Sequence, residues 1–313
     1  MSASAVPTPA APITKRQAWI HAMRPRVFTA AYAPMGVAAA AALRDGVFDV
    51  LLFALSLIGV MLLQTTANLV NEYYDFVRGS DDLKVDGQGM AIKKYGLTPR
   101  EVGIGAVASL VAGCLIGLFL LSQSGPLLWA IGIGGALVAV IYTAGPFPLA
   151  YNGLGELAAG IFMGPLIVVG AYYVMARGQL APDLVWISLP VGLMVAAILH
   201  ANNLRDMEAD RAANKRTLAV LLGRPAARVE YVVLVGGAYV ALAGLIVFGA
   251  VPVTTALAAL TLPEARALIR IFNTVDDPAM LHPAQGRTAR LHGRFGLLMV
   301  AGWLAWLLLD AVI

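Results

Sequence analysis

Residues 48–75 read FDVLLFALSLIGVMLLQTTANLVNEYYD. The first 22 positions form an apolar run of about the length that crosses a bilayer core, where a helix needs about 20 residues. The last positions are polar and acidic, with Asn71 and Asp75 spaced by four. Four residues is one helical turn, so both side chains leave the helix in the same direction. Carboxylates are expensive beside lipid, and their default reading there is a functional site. The pattern returns 131 residues later as Asn202-Asn203-Leu-Arg205-Asp206, running on to Asp210, Lys215, Arg216 and Thr217. Asn202 and Asp206 repeat the four-residue step.

Composition points the same way. The 313 residues are 59% hydrophobic and 13% charged, with mean hydropathy +0.78. Soluble domains are about 45–50% apolar and about 25% charged. Nine apolar stretches are expected to span, at roughly 27–43, 48–69, 102–121, 127–143, 154–175, 184–203, 229–249, 251–267 and 295–312. The fold class is therefore an all-α membrane protein of about nine helices. Ten-residue alternation of a membrane β-barrel is absent. Residues 1–14 read as a disordered leader and 15–313 as a single transmembrane domain. No cleaved signal is expected, because Lys15 and Arg16 follow the small-residue stretch rather than precede an apolar core.

Of the 22 Lys and Arg, all but Arg44 and Arg177 fall on one side of this topology. The positive-inside rule then puts the N-terminus in the cytoplasm. Both acidic segments land on that side, each after the second helix of a four-helix unit. Two such pseudo-repeated units are expected to enclose a central cavity with a shared site between them. Spread over short loops, the basic residues give no nucleic-acid footprint. The one cysteine, Cys114, permits no intrachain disulfide and reads as apolar packing. Residues 70–101 and 263–294 read as inner loops, the former with a short helix from Pro99. His200 reads as a structural histidine, and His21, His282 and His292 as loop or interface residues.

Turn-spaced Asp and Asn on facing helices suit Mg²⁺ bridged to phosphate, which takes one or two carboxylates and substrate oxygens. Arg78, Arg205, Lys215 and Arg216 would neutralise a diphosphate. No Walker-type loop is present, so nucleotide hydrolysis is not indicated.

Together these motifs resemble the UbiA superfamily of intramembrane aromatic prenyltransferases, from Trp19 to the C-terminus. The resemblance is strongest in the branch that prenylates 1,4-dihydroxy-2-naphthoate on the menaquinone pathway. It rests on Asn68 through Asp75 with Gly79-Ser80-Asp81, on Tyr142-Thr-Ala-Gly-Pro-Phe-Pro-Leu-Ala-Tyr151, on Leu154-Gly-Glu156, and on Asn202 through Asp210 to Ala219. It implies Mg²⁺ on Asn71, Asp75, Asp81, Asp206 and Asp210. Glu72, a longer arm where the family usually has Asp, joins that metal set. It implies a polyprenyl diphosphate donor and an aromatic acceptor, bound near Arg24, Asn68, Asn202, Asn203 and Arg216. Arg78, Arg205 and Lys215 would act on the leaving group, and Tyr142 and Tyr151 would face an allylic cation. The implied reaction joins the prenyl group to the naphthoate with loss of CO₂, giving demethylmenaquinone. The setting is the inner or plasma membrane, with the site facing the cytoplasm. Two alternatives stay open: another acceptor such as 4-hydroxybenzoate or homogentisate, and a cation-coupled transporter. Transporter sites lie near the bilayer midplane, whereas both clusters here lie at the ends of spans.

Overall fold

In the computed structural model, residues 14–80 and 90–312 are described. The expected leader thus lies outside the described residues, except Thr14, whose hydroxyl caps the first helix. The described residues form fourteen α-helices: α1 Lys15–Met23, α2 Thr29–Arg44, α3 Val50–Val77, α4 Ala91–Tyr95, α5 Pro99–Gln123, α6 Leu127–Ile141, α7 Gly155–Phe162, α8 Pro165–Met175, α9 Leu184–Ile187, α10 Leu189–Ala212, α11 Leu218–Leu222, α12 Arg224–Val247, α13 Leu262–Thr274 and α14 Pro278–Asp310. Among the described residues there is no strand, only one isolated bridge between Asn152 and Arg216. Among the described residues six helical segments are long and apolar enough to cross a membrane, or seven if the α1–α2 pair, bent by 47°, is one span. The helix α6 is apolar but shorter.

Local chemistry sets the helix ends. Asp49 accepts from the Leu51 and Leu52 amides and starts α3. Thr98, Pro99 and Glu101 form a capping box, so Pro99 opens the long α5 rather than a short separate helix. Asp277 and Pro278 start α14 in the same manner. Helix α10 is buried along most of its length, whereas α5 is largely exposed. The Ala-rich α2 packs against α8 and α14.

Two expectations change here. The stretch 251–267 is not one helix: it is a 3₁₀ segment, Val253–Thr261, followed by α13. Pro252 and Pro263 bracket that segment. Helix α13 is amphipathic, burying Ala265, Leu268 and Phe272. The expected loop 263–294 is instead α13 plus the first half of α14. Its polar residues look solvated on paper, yet Gln285, Thr288 and His292 are buried inside the bundle. The acidic segments also stay helical, since α3 runs to Val77 and α10 to Ala212.

Between α7 and α8 the chain breaks at Gly164-Pro165. A Cβ on Gly164 would stand 2.6 Å from the Gly160 carbonyl oxygen and 2.6 Å from the Gly192 Cα. Glycine at this point lets the break touch the backbone of α10.

Candidate active site

The helices enclose a cavity of about 750 Å³. One end is polar. Helix α3 lines it with Asn68, Asn71 and Asp75, and α10 with Asn202, Asn203, Arg205 and Asp206. Lys215, Tyr142 and Arg24 complete that end. Arg24 sits at the α1–α2 bend with φ 55°, a left-handed conformation unusual for a residue with a side chain. Its Nε is buried and donates to no described residue. Most of the remaining wall is apolar, from Val60 and Leu63 on α3 to Ile131 and Leu166 on α6 and α8, with Ser56, Gln64 and Gln285 as polar exceptions. Leu118, Trp129, Ile133 and Leu137 line the cavity and are each at least half exposed, so it reaches the outer surface between α5 and α6. Cys114 also lines the cavity and is exposed, which corrects its reading as inert packing.

Ten predicted site residues thus meet in one cavity. The others sit differently. Asp81 lies outside the described residues. Glu72, read as a metal ligand, is buried and accepts from the Ile92 amide at 3.1 Å, with Arg24 at 3.7 Å. It braces α4 and Arg24 and does not line the cavity. Asn68 donates to the Met23 carbonyl at 2.8 Å, tying α3 to the end of α1. Arg216 is exposed, and its backbone amide bonds the Tyr151 carbonyl at 3.2 Å. That contact pins the segment after α10 to the segment after α6.

Tyr151 is not aimed into the cavity. Its hydroxyl donates to Asp75 at 3.1 Å. Arg78 lies over its ring at 4.7 Å and Lys215 at 5.3 Å from the centroid. Two protein cations therefore lie against the ring, and Tyr142 rather than Tyr151 lines the cavity. Burial pushes the Tyr151 phenol above its usual range, and the Asp75 charge adds to this. It stays a hydrogen-bond donor at neutral pH. Tyr151→Phe is expected to lower turnover about ten- to a hundredfold, one hydrogen bond to a charged group being worth about 1.5–3 kcal/mol. Unchanged steady-state kinetics in that variant would remove Tyr151 from the site.

Arg78 donates to the Thr143 and Gly145 carbonyls at 2.8 and 3.1 Å, which anchors the end of α3 to the α6–α7 connection. In the second cluster Arg205 grips Asp206 through two bonds, at 2.7 and 2.6 Å. It also donates to Asn202 at 2.9 Å and meets His282 of α14 at 3.1 Å. Asp210 is buried, with Lys215 3.5 Å away. The carboxylates Asp75 and Asp206, with the carboxamides Asn71 and Asn202, are hard oxygen donors at one end of the cavity, a set that suits Mg²⁺.

Residues that sequence reasoning passed over include Gln285, whose side chain lines the cavity with its oxygen buried and unpartnered, and His282. A signal was present: His282, Gln285, Thr288 and His292 recur at helical spacing.

The UbiA prenyltransferase family profile matches residues 31–281. The chain belongs to the UbiA prenyltransferase family. It is 32% identical over 281 residues to a 1,4-dihydroxy-2-naphthoate octaprenyltransferase of Bacillus subtilis (strain 168), covering 90% of each chain. It is 33% identical over 296 residues to the Escherichia coli (strain K12) protein of the same name, covering 93% of this chain and 96% of that one. Among solved structures, a UbiA homolog from Archaeoglobus fulgidus bound to GPP and Mg²⁺ matches with TM-score 0.61 at 17% identity, over 91% of this chain and 99% of that chain. This UbiA protein is thus a prenyltransferase and a multi-pass integral membrane protein.

Proposed function

We propose that the enzyme transfers a polyprenyl group from polyprenyl diphosphate to 1,4-dihydroxy-2-naphthoate, with loss of CO₂ and with Mg²⁺ as cofactor. The observation that supports this most is the pairing of both Asp/Asn clusters at the polar end of one otherwise apolar cavity. Relatives at 32–33% identity carry the octaprenyltransferase name, and the Archaeoglobus homolog holds GPP and Mg²⁺ in the same fold.

Asn71, Asp75, Asp206 and Asp210 would hold Mg²⁺, with Asp81 as a further candidate. When bound, Mg²⁺ supplies positive charge against the diphosphate oxygens. Arg205 is engaged by Asp206, Asn202 and His282, so its role is to set Asp206 in place. Lys215, beside Asp210 and the Tyr151 ring, and Arg24 line the polar end and would bring positive charge to an anionic substrate. The spare Nε of Arg24 suits either the diphosphate or the acceptor's carboxylate. Heterolysis of the allylic C–O bond sends its electron pair to the departing diphosphate. The apolar wall keeps water from the resulting allylic cation, and Tyr142, an aromatic residue of the lining, would face it. The arene supplies the pair for the new C–C bond at the carboxylate-bearing carbon. The C–CO₂⁻ pair returns to the ring as CO₂ leaves, so no proton has to be removed and no dedicated base is required. The enzyme's own product is the hydroquinone, and a separate two-electron acceptor outside this site takes it to demethylmenaquinone. The N-terminus and the polar end of the cavity face the cytoplasm in this reading, and the bundle is two pseudo-repeated four-helix units.

Purified protein in liposomes, given the naphthoate, a polyprenyl diphosphate and Mg²⁺, is expected to form the prenylated product, and EDTA is expected to abolish it. Turnover of a different hydroxy-aromatic but not the naphthoate would replace the acceptor. Solute flux with no prenylation of any acceptor would overturn the reading.

A further inference from the structure

Behind the cavity wall, Glu156 of α7, His200 of α10 and Glu230 of α12 bring their polar atoms within 4.8 Å of one another. Glu156 and His200 are at most 3% exposed. The His200 Nε2 lies 2.7 Å from the Ala227 carbonyl oxygen. A carbonyl only accepts, so Nε2 carries a proton and the ring is fixed. Its Nδ1 then faces Glu156 Oε1 at 3.2 Å and Glu230 Oε2 at 3.5 Å. The same Glu156 oxygen accepts from Asn203 Nδ2 at 2.7 Å. A trio of this kind also suits a metal ion, but the shared Glu156 oxygen already has two protein partners. Of these four residues, Asn203 alone lines the cavity.

A carboxamide is a two-ended group, with donors at one end and an acceptor at the other. A flip of Asn203 would press its oxygen against the Glu156 carboxylate, so electrostatics settle its direction. With the nitrogen held behind the wall, the oxygen is left to face a ligand. Asn203 also sits one helical turn deeper than Asp206, about 4.5 Å along the axis. That places it below the end that would hold the diphosphate.

We propose that Glu156, backed by His200 and Glu230, is a positioning residue that turns the Asn203 oxygen toward the cavity, where it accepts a hydrogen bond from a hydroxyl of the aromatic acceptor. This rests on the acceptor being a hydroxy-aromatic, as argued above. It assigns to this buried network a specificity role: an acceptor whose hydroxyl is blocked is rejected because the fixed oxygen is left unpartnered. Glutamine at position 156 keeps an oxygen for Asn203, whereas alanine does not.

The test has two readouts. In steady-state kinetics, Glu156→Ala and Asn203→Leu are expected to raise the KM for the naphthoate about tenfold or more, with the KM for polyprenyl diphosphate unchanged. Glu156→Gln is expected to recover most of that loss. In equilibrium binding, followed by intrinsic fluorescence in detergent without diphosphate, the wild type is expected to favour the free naphthoate over its monomethyl ethers, and Asn203→Leu to lose that preference. The binding arm needs no turnover, so failure of the assigned reaction and failure of this inference are separable. Equal binding of naphthoate and ethers by the wild type would overturn the inference. So would a Glu156→Ala variant that is less heat-stable but has an unaltered acceptor KM, since that marks a purely structural network.

Discussion

Asp206→Asn is expected to lower prenyl transfer by a hundred- to a thousandfold, roughly the loss seen when one preorganised group that acts on developing charge is removed. In free energy this is about 2.7–4 kcal/mol. The substitution is close in size, so the helix is not asked to repack. It removes a charge from the polar end of the cavity and weakens the two-bond grip of Arg205. The freed guanidinium then has only Asn202 and His282. Product formation against Mg²⁺ concentration checks it. The proposed metal role requires the variant to need more Mg²⁺ for half-maximal rate. A wild-type Mg²⁺ curve with wild-type turnover would place the metal elsewhere.

Gly164→Ala is expected to have a large structural effect. The new methyl group would sit 2.6 Å from backbone atoms of both Gly160 and Gly192. Backbone cannot rotate away as a side chain can, so α7, α8 and α10 must part. Overpacking of this kind costs about 1–3 kcal/mol and sometimes more. The thermal midpoint in detergent should fall clearly below the wild-type value. Gly103→Ala is the control, because a Cβ there meets nothing within 4 Å. If both variants melt together, the α7–α10 contact is looser than described.

The pairs Asn71/Asp75 and Asn202/Asp206 were legible because helical periodicity is a local property, and their meeting followed from two apolar helices ending alike. Long-range bonds left no such trace. That Tyr151 serves Asp75 depends on a contact between Tyr151 and Arg216, 65 positions apart. Glu72 and Asp75 share a helix three residues apart, yet one braces α4 and Arg24 while the other lines the cavity. Partners distant in sequence separate them, Ile92 and Arg24 for Glu72 and Tyr151 for Asp75. The first half of α14 misled in the opposite way. Composition cannot distinguish polar residues turned to water from polar residues turned inward, and His292, read as a loop or interface residue, is fully buried.

The opening between α5 and α6 alters what concentration means for this enzyme. A ligand that enters and leaves through that side wall is met in a plane rather than in a volume. Its supply depends on how many copies share each patch of bilayer, and the volume of water around the membrane drops out. A water-soluble partner reaching the polar end, as the proposed reaction requires, would still be counted per litre. One catalyst would then join a two-dimensional stream to a three-dimensional one, and the growth of the surrounding membrane alone would dilute the first without touching the second.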